Sequence, residues 1–270
     1  MTEIITASEI DGLLSANEER LREYIALLIK ANELARLTGP SDEETLWESH
    51  VRDCAFALPL LPERGTVIDV GTGGGLPGIV WAICRPELKV TLLDSISRKC
   101  AQVEKIAQLM GLSNVEVVCS RSEDFAKERL EKFDAAAARA VCALGILAEY
   151  LAPFVKQRGV LIAFKGPKVR EEIEEVGTKW KQLGLSNPRL IPYELSDMKR
   201  YFVEWTKLSQ VPKGIPRRPG MAEKFPWYLK EAAPKPKQGA ERGAGGAKGG
   251  SSGPRKGDHE KSKAKKRAEN

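Results

Sequence analysis

The sequence lacks several features that would assign it to a specialised class. Its 270 residues contain no run of about eighteen apolar residues, so no membrane-spanning helix is expected. The opening segment, MTEIITASEIDGLL, lacks the basic and then apolar stretches of a signal peptide. Two histidines and five cysteines, none of them spaced C-x-x-C, argue against a metal centre and a disulfide framework. These absences predict a cytoplasmic protein with neither a metal site nor a membrane partner.

Positive charge is concentrated at the C-terminal end. The chain carries a net charge of +6, but residues 232–270 alone carry +7, which leaves the remainder at −1. This segment is composed largely of Gly, Lys, Ser and Pro and contains no aromatic residue. Because such a composition buries too little apolar surface to offset the entropy of ordering, residues 232–270 are predicted to be a disordered basic tail. Non-specific phosphate attraction and specific RNA binding are both open roles for it.

The first 64 residues have the periodicity of helices. Apolar residues recur every three or four positions between residues 8 and 38, where Gly39-Pro40 is expected to stop the helix. A capping box formed by Ser41 and Glu44 predicts a second helix through WESHVRDCAFAL. Residues 1–64 are therefore interpreted as a helical N-terminal extension.

From residue 65 onward, short apolar strands alternate with helical segments. The strand candidates are TVIDV, KVTLLD, VEVVC, FDAAAARA and GVLIAFKG, and LIPYEL with RYFVEWTKL predicts an antiparallel hairpin at one edge. This alternation predicts an α/β fold whose doubly wound, Rossmann-like sheet is mostly parallel. The predicted division is a core at 65–212, a basic RNA-contacting arm at 213–231 and the tail.

A glycine-rich turn follows the first predicted strand. It reads Asp69-Val-Gly71-Thr-Gly73-Gly-Gly75-Leu76-Pro-Gly78, and Asp94 ends the next strand. Glycines at this position let a ligand lie against backbone N–H groups, and an acid at the second strand's tip is placed to bind ribose hydroxyls. The turn therefore predicts a nucleotide-like cofactor.

Two cofactors fit these glycines. The spacing satisfies the dinucleotide fingerprint, so a nicotinamide-dependent dehydrogenase is one alternative. The acid Asp69 before the glycines is typical of methyltransferases, where it orients the methionine amine, and Pro77 removes a donor that a pyrophosphate cradle would use. Ser122 and Glu123 follow the third strand where methyltransferases contact adenine, although Ser122 is also a plausible helix cap. Together these features favour S-adenosylmethionine.

The residues also restrict the methyl acceptor. The segment FDAAAARAV lacks the N/D-P-P-Y-type motif of adenine amine methylation, and Cys142 lies in an apolar stretch unlike that of a catalytic nucleophile. Guanine N7 carries a lone pair and no proton, so its methylation needs no general base and is compatible with this sequence. Arg139 and Lys165 end the fourth and fifth strands, where each is either a contact to cofactor or RNA or a solvated charge.

Six ordered segments between residues 46 and 226 resemble the bacterial small-subunit ribosomal RNA methyltransferase G family, also called glucose-inhibited division protein B. They are VIDVGTGGGLPGIVWAI, TLLDSISRKCAQVEKI, SRSEDF, AARA, AFKG and IPRRPG. The resemblance implies S-adenosylmethionine-dependent methylation of guanine N7 in the decoding-region loop of 16S rRNA. A family member that binds RNA or assists assembly without turnover is the non-enzymatic alternative, against which the intact glycine turn and Asp94 argue.

The resemblance also implies site residues. Arg139 is expected beside the reacting centre, as a catalytic and cofactor-binding residue. With the glycine-turn argument, the expected cofactor-binding set is Asp69, Gly71, Gly73, Gly75, Leu76, Asp94, Ser122, Glu123 and Arg139. The expected RNA contacts are Lys165, Arg217 and Arg218, while His50 and Asp53 match the family's H-x-x-D helix. Gly74, where the family often has proline, and the long tail depart from the family pattern.

The expected partner is 16S rRNA or an assembling small ribosomal subunit, bound by a monomer. Residues 207–230 carry six Lys or Arg against one Glu, and Trp227 and Tyr228 are candidates for stacking on bases.

Overall fold

The computed structural model describes residues 7–39, 42–195 and 198–229. The predicted disordered tail at 232–270 lies outside these ranges, as do Pro40 and Ser41, the expected helix stop and cap. The described chain through residue 229 belongs to one structural unit.

Strands from the whole predicted core form one seven-stranded sheet. The strands are β1 Gly65–Val70, β2 Leu88–Asp94, β3 Val115–Cys119, β4 Phe133–Arg139, β5 Val155–Lys165, β6 Arg189–Leu195 and β7 Met198–Thr206. Their order is β3-β2-β1-β4-β5-β7-β6, with β1 to β5 parallel. β7 runs antiparallel to both β5 and β6. The predicted mostly parallel sheet with an antiparallel edge hairpin is therefore confirmed.

Alternating side chains on the strands enter two separate hydrophobic cores. Val67 and Ile68 on β1 enter opposite cores, as do Ile162 and Leu161 on β5. Successive strand residues point to opposite faces, so a strand covered on both sides is apolar throughout. This requirement explains why β1, β4 and β5 appear in the sequence as continuous apolar runs.

Helices cover both faces of the sheet. They are α1 Ala7–Ala16, α2 Glu18–Ala35, α3 Glu43–Leu46, α4 Arg52–Ala55, α5 Gly78–Cys84, α6 Ser97–Leu109, α7 Ser122–Glu128, α8 Leu144–Leu151, α9 Val169–Val176 and α10 Met221–Lys224. Within the described ranges, none of these helices has the length and apolar character to cross a bilayer.

The N-terminal helices differ in detail from the sequence-based prediction. The single helix expected over residues 8–38 is interrupted at Asn17, whose side-chain amide donates to the Leu13 carbonyl and so competes with the helical backbone. α2 then ends at Ala35, followed by Arg36 in a left-handed conformation. The side chain of Asn32 caps this end by accepting from the Thr38 amide. Local side-chain hydrogen bonds thus end both helices before Gly39.

The predicted second helix is also irregular. The Asp42 carboxylate caps α3 by accepting from the Thr45 amide at 2.8 Å. A π-helical turn at Trp47–Val51 follows, and α4 continues from it. Such turns are often found at functional sites, and this one carries His50 and leads directly to Asp53.

The N-terminal helices share a core with the sheet. Leu21, Tyr24 and Leu28 of α2 belong to the same buried cluster as Val67 and Leu92 of the strands. The carboxyl ends of β1, β2, β4 and β5 form one edge of the sheet, and α4 approaches this edge through Asp53. The segment predicted as an extension therefore contributes to the floor of the site described next.

Candidate functional site

The glycine-rich turn after β1 is held in shape by Asp69. Its Oδ2 atom accepts hydrogen bonds from Thr72 Oγ1 at 2.6 Å and from the Gly78 amide at 3.0 Å. Gly71 and Gly73 have φ angles of 76° and 59°, which favour glycine. The carboxylate thus fixes both ends of the turn from below.

Asp69 is fully buried and lines neither of the cavities described below. Burial raises its pKa to about 6, against the opposing hydrogen bonds from Thr72 and Gly78. Its Oδ1 atom has no hydrogen-bond partner among the described residues. The structure therefore gives Asp69 a loop-positioning role, and direct contact with a cofactor stays a prediction.

Two cavities open at the carboxyl edge of the sheet and share Gly71 and Ala140. The first, here called the cationic cavity, has a volume of about 490 Å³, and the second, the acidic cavity, about 350 Å³. The charged residues of the cationic cavity are Asp53, Arg139, Lys165 and Arg200. Those of the acidic cavity are Asp94, Lys99, Arg121, Glu123 and Glu223. The glycine turn separates two chemically different chambers.

Asp94 lies in the acidic cavity, at the end of β2 as predicted. Its Oδ2 atom accepts from the Gly73 amide at 3.0 Å and its Oδ1 atom from the Ile96 amide at 2.9 Å. An ionised carboxylate has about four acceptor sites, so both oxygens retain capacity for ligand hydroxyls. These two bonds also orient the carboxylate toward the cavity beside the glycine turn.

Ser122 and Glu123 line the far end of the acidic cavity. Ser122 begins α7 and makes no capping bond, so the alternative that it caps this helix is wrong. Its hydroxyl contacts Glu123 Oε2 at 3.2 Å, while Glu123 Oε1 accepts from the amide of Gly220 at 3.0 Å. Tyr150 and Glu223 also line this cavity, and the Tyr150 hydroxyl donates to Glu223 Oε1 at 3.3 Å. The C-terminal arm therefore contributes Glu223 to the lining of the acidic cavity and holds Glu123 through the Gly220 amide.

Two other residues of the turn have separate positions. Leu76 lines the cationic cavity. Gly75 lines neither cavity, and a Cβ atom there would lie 2.5 Å from Ile79 Cδ1. Gly75 is thus required for close packing of the turn against α5, and the structure brings it to no cavity.

Arg139 is held at the floor of the cationic cavity by two residues of the N-terminal segment. Its Nη1 atom lies 3.2 Å from Asp53 Oδ2, and its Nη2 atom lies 2.9 Å from His50 Nδ1. Burial, reinforced by the Arg139 charge, lowers the pKa of His50 to about 4. The H-x-x-D pair therefore positions the arginine that sequence reasoning placed beside the reacting centre.

Sequence reasoning missed two residues of this cluster. Tyr193 on β6 donates to Asp53 Oδ1 at 2.6 Å, and Arg200 on β7 lies 3.8 Å from the same oxygen. Both belong to the edge hairpin, about 140 residues from Asp53 along the chain. No local pattern in LIPYEL or RYFVEWTKL signals this contact, because only the antiparallel pairing brings the hairpin to the site.

Lys165 lies at the end of β5 and lines the cationic cavity. Its ammonium donates to Glu172 Oε2 and to the Cys142 carbonyl, both at 2.8 Å. Its side chain is 11% exposed, so the interpretation of Lys165 as a freely solvated charge is wrong. Burial raises the pKa of the Cys142 thiol to about 12, which agrees with its interpretation as a non-catalytic residue.

The two arginines of the arm occupy different environments. Arg217 donates twice to the buried carboxylate of Glu149, at 2.6 and 2.5 Å, and also to the Phe225 carbonyl. Arg218 is exposed. Arg217 was predicted to contact RNA, but its guanidinium is bonded within the protein. Arg218 is accessible to a ligand, and RNA contact by either residue stays a prediction.

The predicted stacking aromatics, Trp227 and Tyr228, pack against the core to different depths. Trp227 donates to the Gly145 carbonyl at 2.7 Å and packs edge-on against Trp180. Tyr228 is 3% exposed and covers Gly145 so closely that a Cβ atom there would lie 2.2 Å from its ring. The expectation that Tyr228 is available to RNA bases is therefore wrong, whereas Trp227 is half-buried and its stacking on bases stays a prediction.

The acidic cavity fits the donor-rich half of S-adenosylmethionine. Ribose hydroxyls and the adenine amine are hydrogen-bond donors, and Asp94 and Glu123 supply acceptors there. Gly71, which lines both cavities, has no room for a side chain, since a Cβ atom at this position would lie 2.7 Å from Val141 Cγ2. The residues present therefore fit this cofactor. Among the described residues, no group of three or more His, Cys, Asp or Glu side chains is arranged to hold a metal ion.

Comparison with known proteins gives a consistent result. The sequence model of the family described as rRNA small subunit methyltransferase G matches residues 17–192. Proteins named ribosomal RNA small subunit methyltransferase G include one from Clostridium beijerinckii that is 38% identical over 228 residues, covering 82% of this chain and 95% of that protein. One from Alkaliphilus metalliredigens is 36% identical over 214 residues, covering 77% and 90%. The cofactor-bound crystal structure of Rv0187 from MTB shares the fold, with a TM-score of 0.50, 17% identity and coverage of 68% and 89%.

Proposed function

This chain belongs to the rRNA small subunit methyltransferase G family, and we propose that it transfers a methyl group from S-adenosylmethionine to N7 of a guanine in the decoding-region loop of 16S rRNA. The carrying observation is that the cationic cavity presents hydrogen-bond donors and lacks a free side-chain base among the described residues. Asp53 is 1% exposed and bonded to Arg139 and Tyr193, and His50 Nδ1 is occupied by Arg139.

Such a cavity suits an acceptor atom that has no proton to lose. N7 and O6 of guanine are adjacent hydrogen-bond acceptors on the major-groove edge, and N7 attacks through its own lone pair. An exocyclic amine or a hydroxyl would instead require a group to take its proton. The donor set supplied by Arg139, Arg200 and Lys165 therefore favours the guanine edge.

The two chambers divide the work between cofactor and RNA. S-adenosylmethionine, when bound, supplies an electrophilic methyl group on a positively charged sulfur. Asp94 would hold the ribose, Ser122 and Glu123 would lie at the adenine, and Gly71 with Leu76 would line the passage to the cationic cavity. Arg139, fixed by Asp53 and His50 in the cationic cavity, would orient the reacting partners, so that catalysis depends mainly on positioning.

RNA would approach the cationic cavity through its phosphates. Arg200 on β7 lines this cavity and Arg218 on the arm is exposed, so both would meet phosphates, while residues 1–231 as a whole are almost neutral. We infer that the enzyme acts as a cytoplasmic monomer on 16S rRNA or on an assembling small subunit, and that the basic segment at 213–231 contributes to this encounter.

The decisive experiment is to map N7-methylguanosine in 16S rRNA from cells with and without this protein, and then from cells expressing Arg139→Ala. We expect one N7-methylguanosine to disappear in both deficient strains and to return with the wild-type gene. An unchanged map would refute the assignment. Incubating purified protein with labelled S-adenosylmethionine and either naked 16S rRNA or small subunits identifies the substrate form.

A further inference from the structure

The imidazole of His50 is held in one tautomer by Arg139. The two side chains meet at His50 Nδ1 and Arg139 Nη2, 2.9 Å apart. A guanidinium has donors and no acceptor. His50 Nδ1 must therefore be the acceptor of this hydrogen bond, and the proton of the neutral ring must be on Nε2.

The Nε2–H group of His50 is available to a ligand. His50 lines the cationic cavity with Arg139 and Arg200. Its Nε2 atom makes no hydrogen bond to the described part of the chain. The atom is also not buried, so a ligand in the cavity can reach it. Because burial and the nearby Arg139 charge lower the ring's pKa to about 4, the imidazole is neutral at physiological pH. It thus offers the cavity one fixed donor.

On the basis of the proposed function, we propose that His50 selects guanine at the reacting position by donating from Nε2–H to O6 of the target base. When N7 points toward the methyl donor, the neighbouring atom on the same edge is O6 in guanine and the N6 amine in adenine. The Nε2–H group can only donate, so it forms a hydrogen bond with O6 of guanine. In adenine it would face the N6 amine, which is also a donor. His50 therefore rejects adenine through an unpaired donor.

A paired substitution separates this role from mere support of Arg139. The amide of glutamine overlays Nε2 of histidine, whereas the amide of asparagine overlays Nδ1. His50→Ala should lower kcat/KM on 16S rRNA at least about tenfold. His50→Gln, which restores only the Nε2 donor, should recover at least about threefold of this loss, whereas His50→Asn, which restores only the contact to Arg139, should recover none. S-adenosylmethionine affinity, measured by calorimetry, should be the same in all three and serves as the folding control. Activity in His50→Asn with loss in His50→Gln would overturn the proposal.

The tautomer itself is directly measurable. Because the chain has only His50 and His259, long-range ¹⁵N–¹H spectra of wild type and His259→Gln assign both rings. We expect a protonated Nε2 and an unprotonated Nδ1 for His50 at pH 7, with no titration above about pH 5. A protonated Nδ1, or titration near pH 6.5, would overturn the proposal without reference to activity.

The base contact is tested by removing O6 from the substrate. In 16S rRNA ligated from segments, 2-aminopurine replaces the target guanine, keeping N7 and losing O6. Wild type should methylate it at least about tenfold more slowly, and His50→Ala should reduce this preference to about twofold or less. An equal preference in both proteins would overturn the role of His50 alone. Absence of N7 methylation by wild type on unmodified RNA would instead refute the proposed function on which this role rests.

Discussion

The cationic and acidic cavities lie on either side of one glycine turn, yet they present opposite charge. Asp94, Glu123 and Glu223 give the acidic cavity acceptors for hydroxyl and amine donors. Arg139, Lys165 and Arg200 give the cationic cavity donors for phosphate and carbonyl oxygens. The comparison shows that acidic and basic side chains are separated into neighbouring cavities, although residues 1–231 as a whole are nearly neutral. Each predicted effect below tests whether the two chambers act separately.

The largest effect is expected from Gly71, the residue shared by both cavities. Gly71→Val should abolish S-adenosylmethionine binding, because a branched side chain resists the φ of 76° and its Cβ atom would overlap Val141. Gly166→Ala is the matched control, since an added Cβ atom there meets nothing within 4 Å. Calorimetry should find cofactor affinity lost in the first variant and kept in the second. Normal binding by a folded Gly71→Val protein would show that the cofactor lies elsewhere.

Asp94 tests the acidic cavity alone. Asp94→Ala should weaken cofactor binding by about 1.5–3 kcal/mol, the range for losing charge-assisted hydrogen bonds. Arg200→Ala, on the opposite side of the turn, should keep cofactor affinity and raise KM for RNA severalfold. Titration calorimetry and filter binding measure the two affinities. If both variants lost the same ligand, the division between the chambers would be wrong.

The arm offers two adjacent arginines with different expected effects. Arg217→Ala leaves the Glu149 carboxylate, 3% exposed, without its partner and should cost up to about 3 kcal/mol of unfolding free energy. Arg218→Ala should preserve stability, lower RNA affinity severalfold and make the salt dependence of RNA binding shallower by about one ion. Chemical denaturation and salt titrations distinguish them. A destabilised Arg218→Ala protein would contradict its assignment to an exposed RNA contact.

The smallest effect is on the pH dependence of folding stability, to which His50 and Asp69 make opposite contributions. His50, with a folded pKa of about 4, binds fewer protons than in the unfolded chain between pH 4 and 6.5, so it makes stability rise with pH. Asp69, with a folded pKa of about 6, binds more protons than when unfolded, so its contribution falls as pH rises from about 4 to 6.

Substitution removes one slope at a time. From pH 7.5 to pH 5, the melting temperature of His50→Gln should gain about 2 °C relative to wild type, and that of Asp69→Asn should lose about 2 °C. Scanning calorimetry at several pH values makes the comparison. Parallel curves for wild type and both variants would show that neither group is perturbed as described.

The sequence was sufficient to predict the sheet because that information is local. Strands covered on both faces must be apolar throughout, and β1, β4 and β5 are such runs. Helix ends were predicted less well, since Asn17 and Asn32 end helices through their own side-chain hydrogen bonds. Composition and residue spacing do not show which asparagine side chain will form a hydrogen bond that ends a helix.

Within the site, the sequence by itself placed Asp94, the glycine turn and Arg139, because each follows directly from the end of a parallel strand. Only the tertiary structure showed that Tyr193 and Arg200 contact Asp53. It likewise showed that Arg217 is paired with Glu149, and that Trp227 and Tyr228 pack against α8. These outcomes depend on contacts between residues 68 to 147 positions apart, which arise when the antiparallel hairpin and the arm fold back onto the sheet.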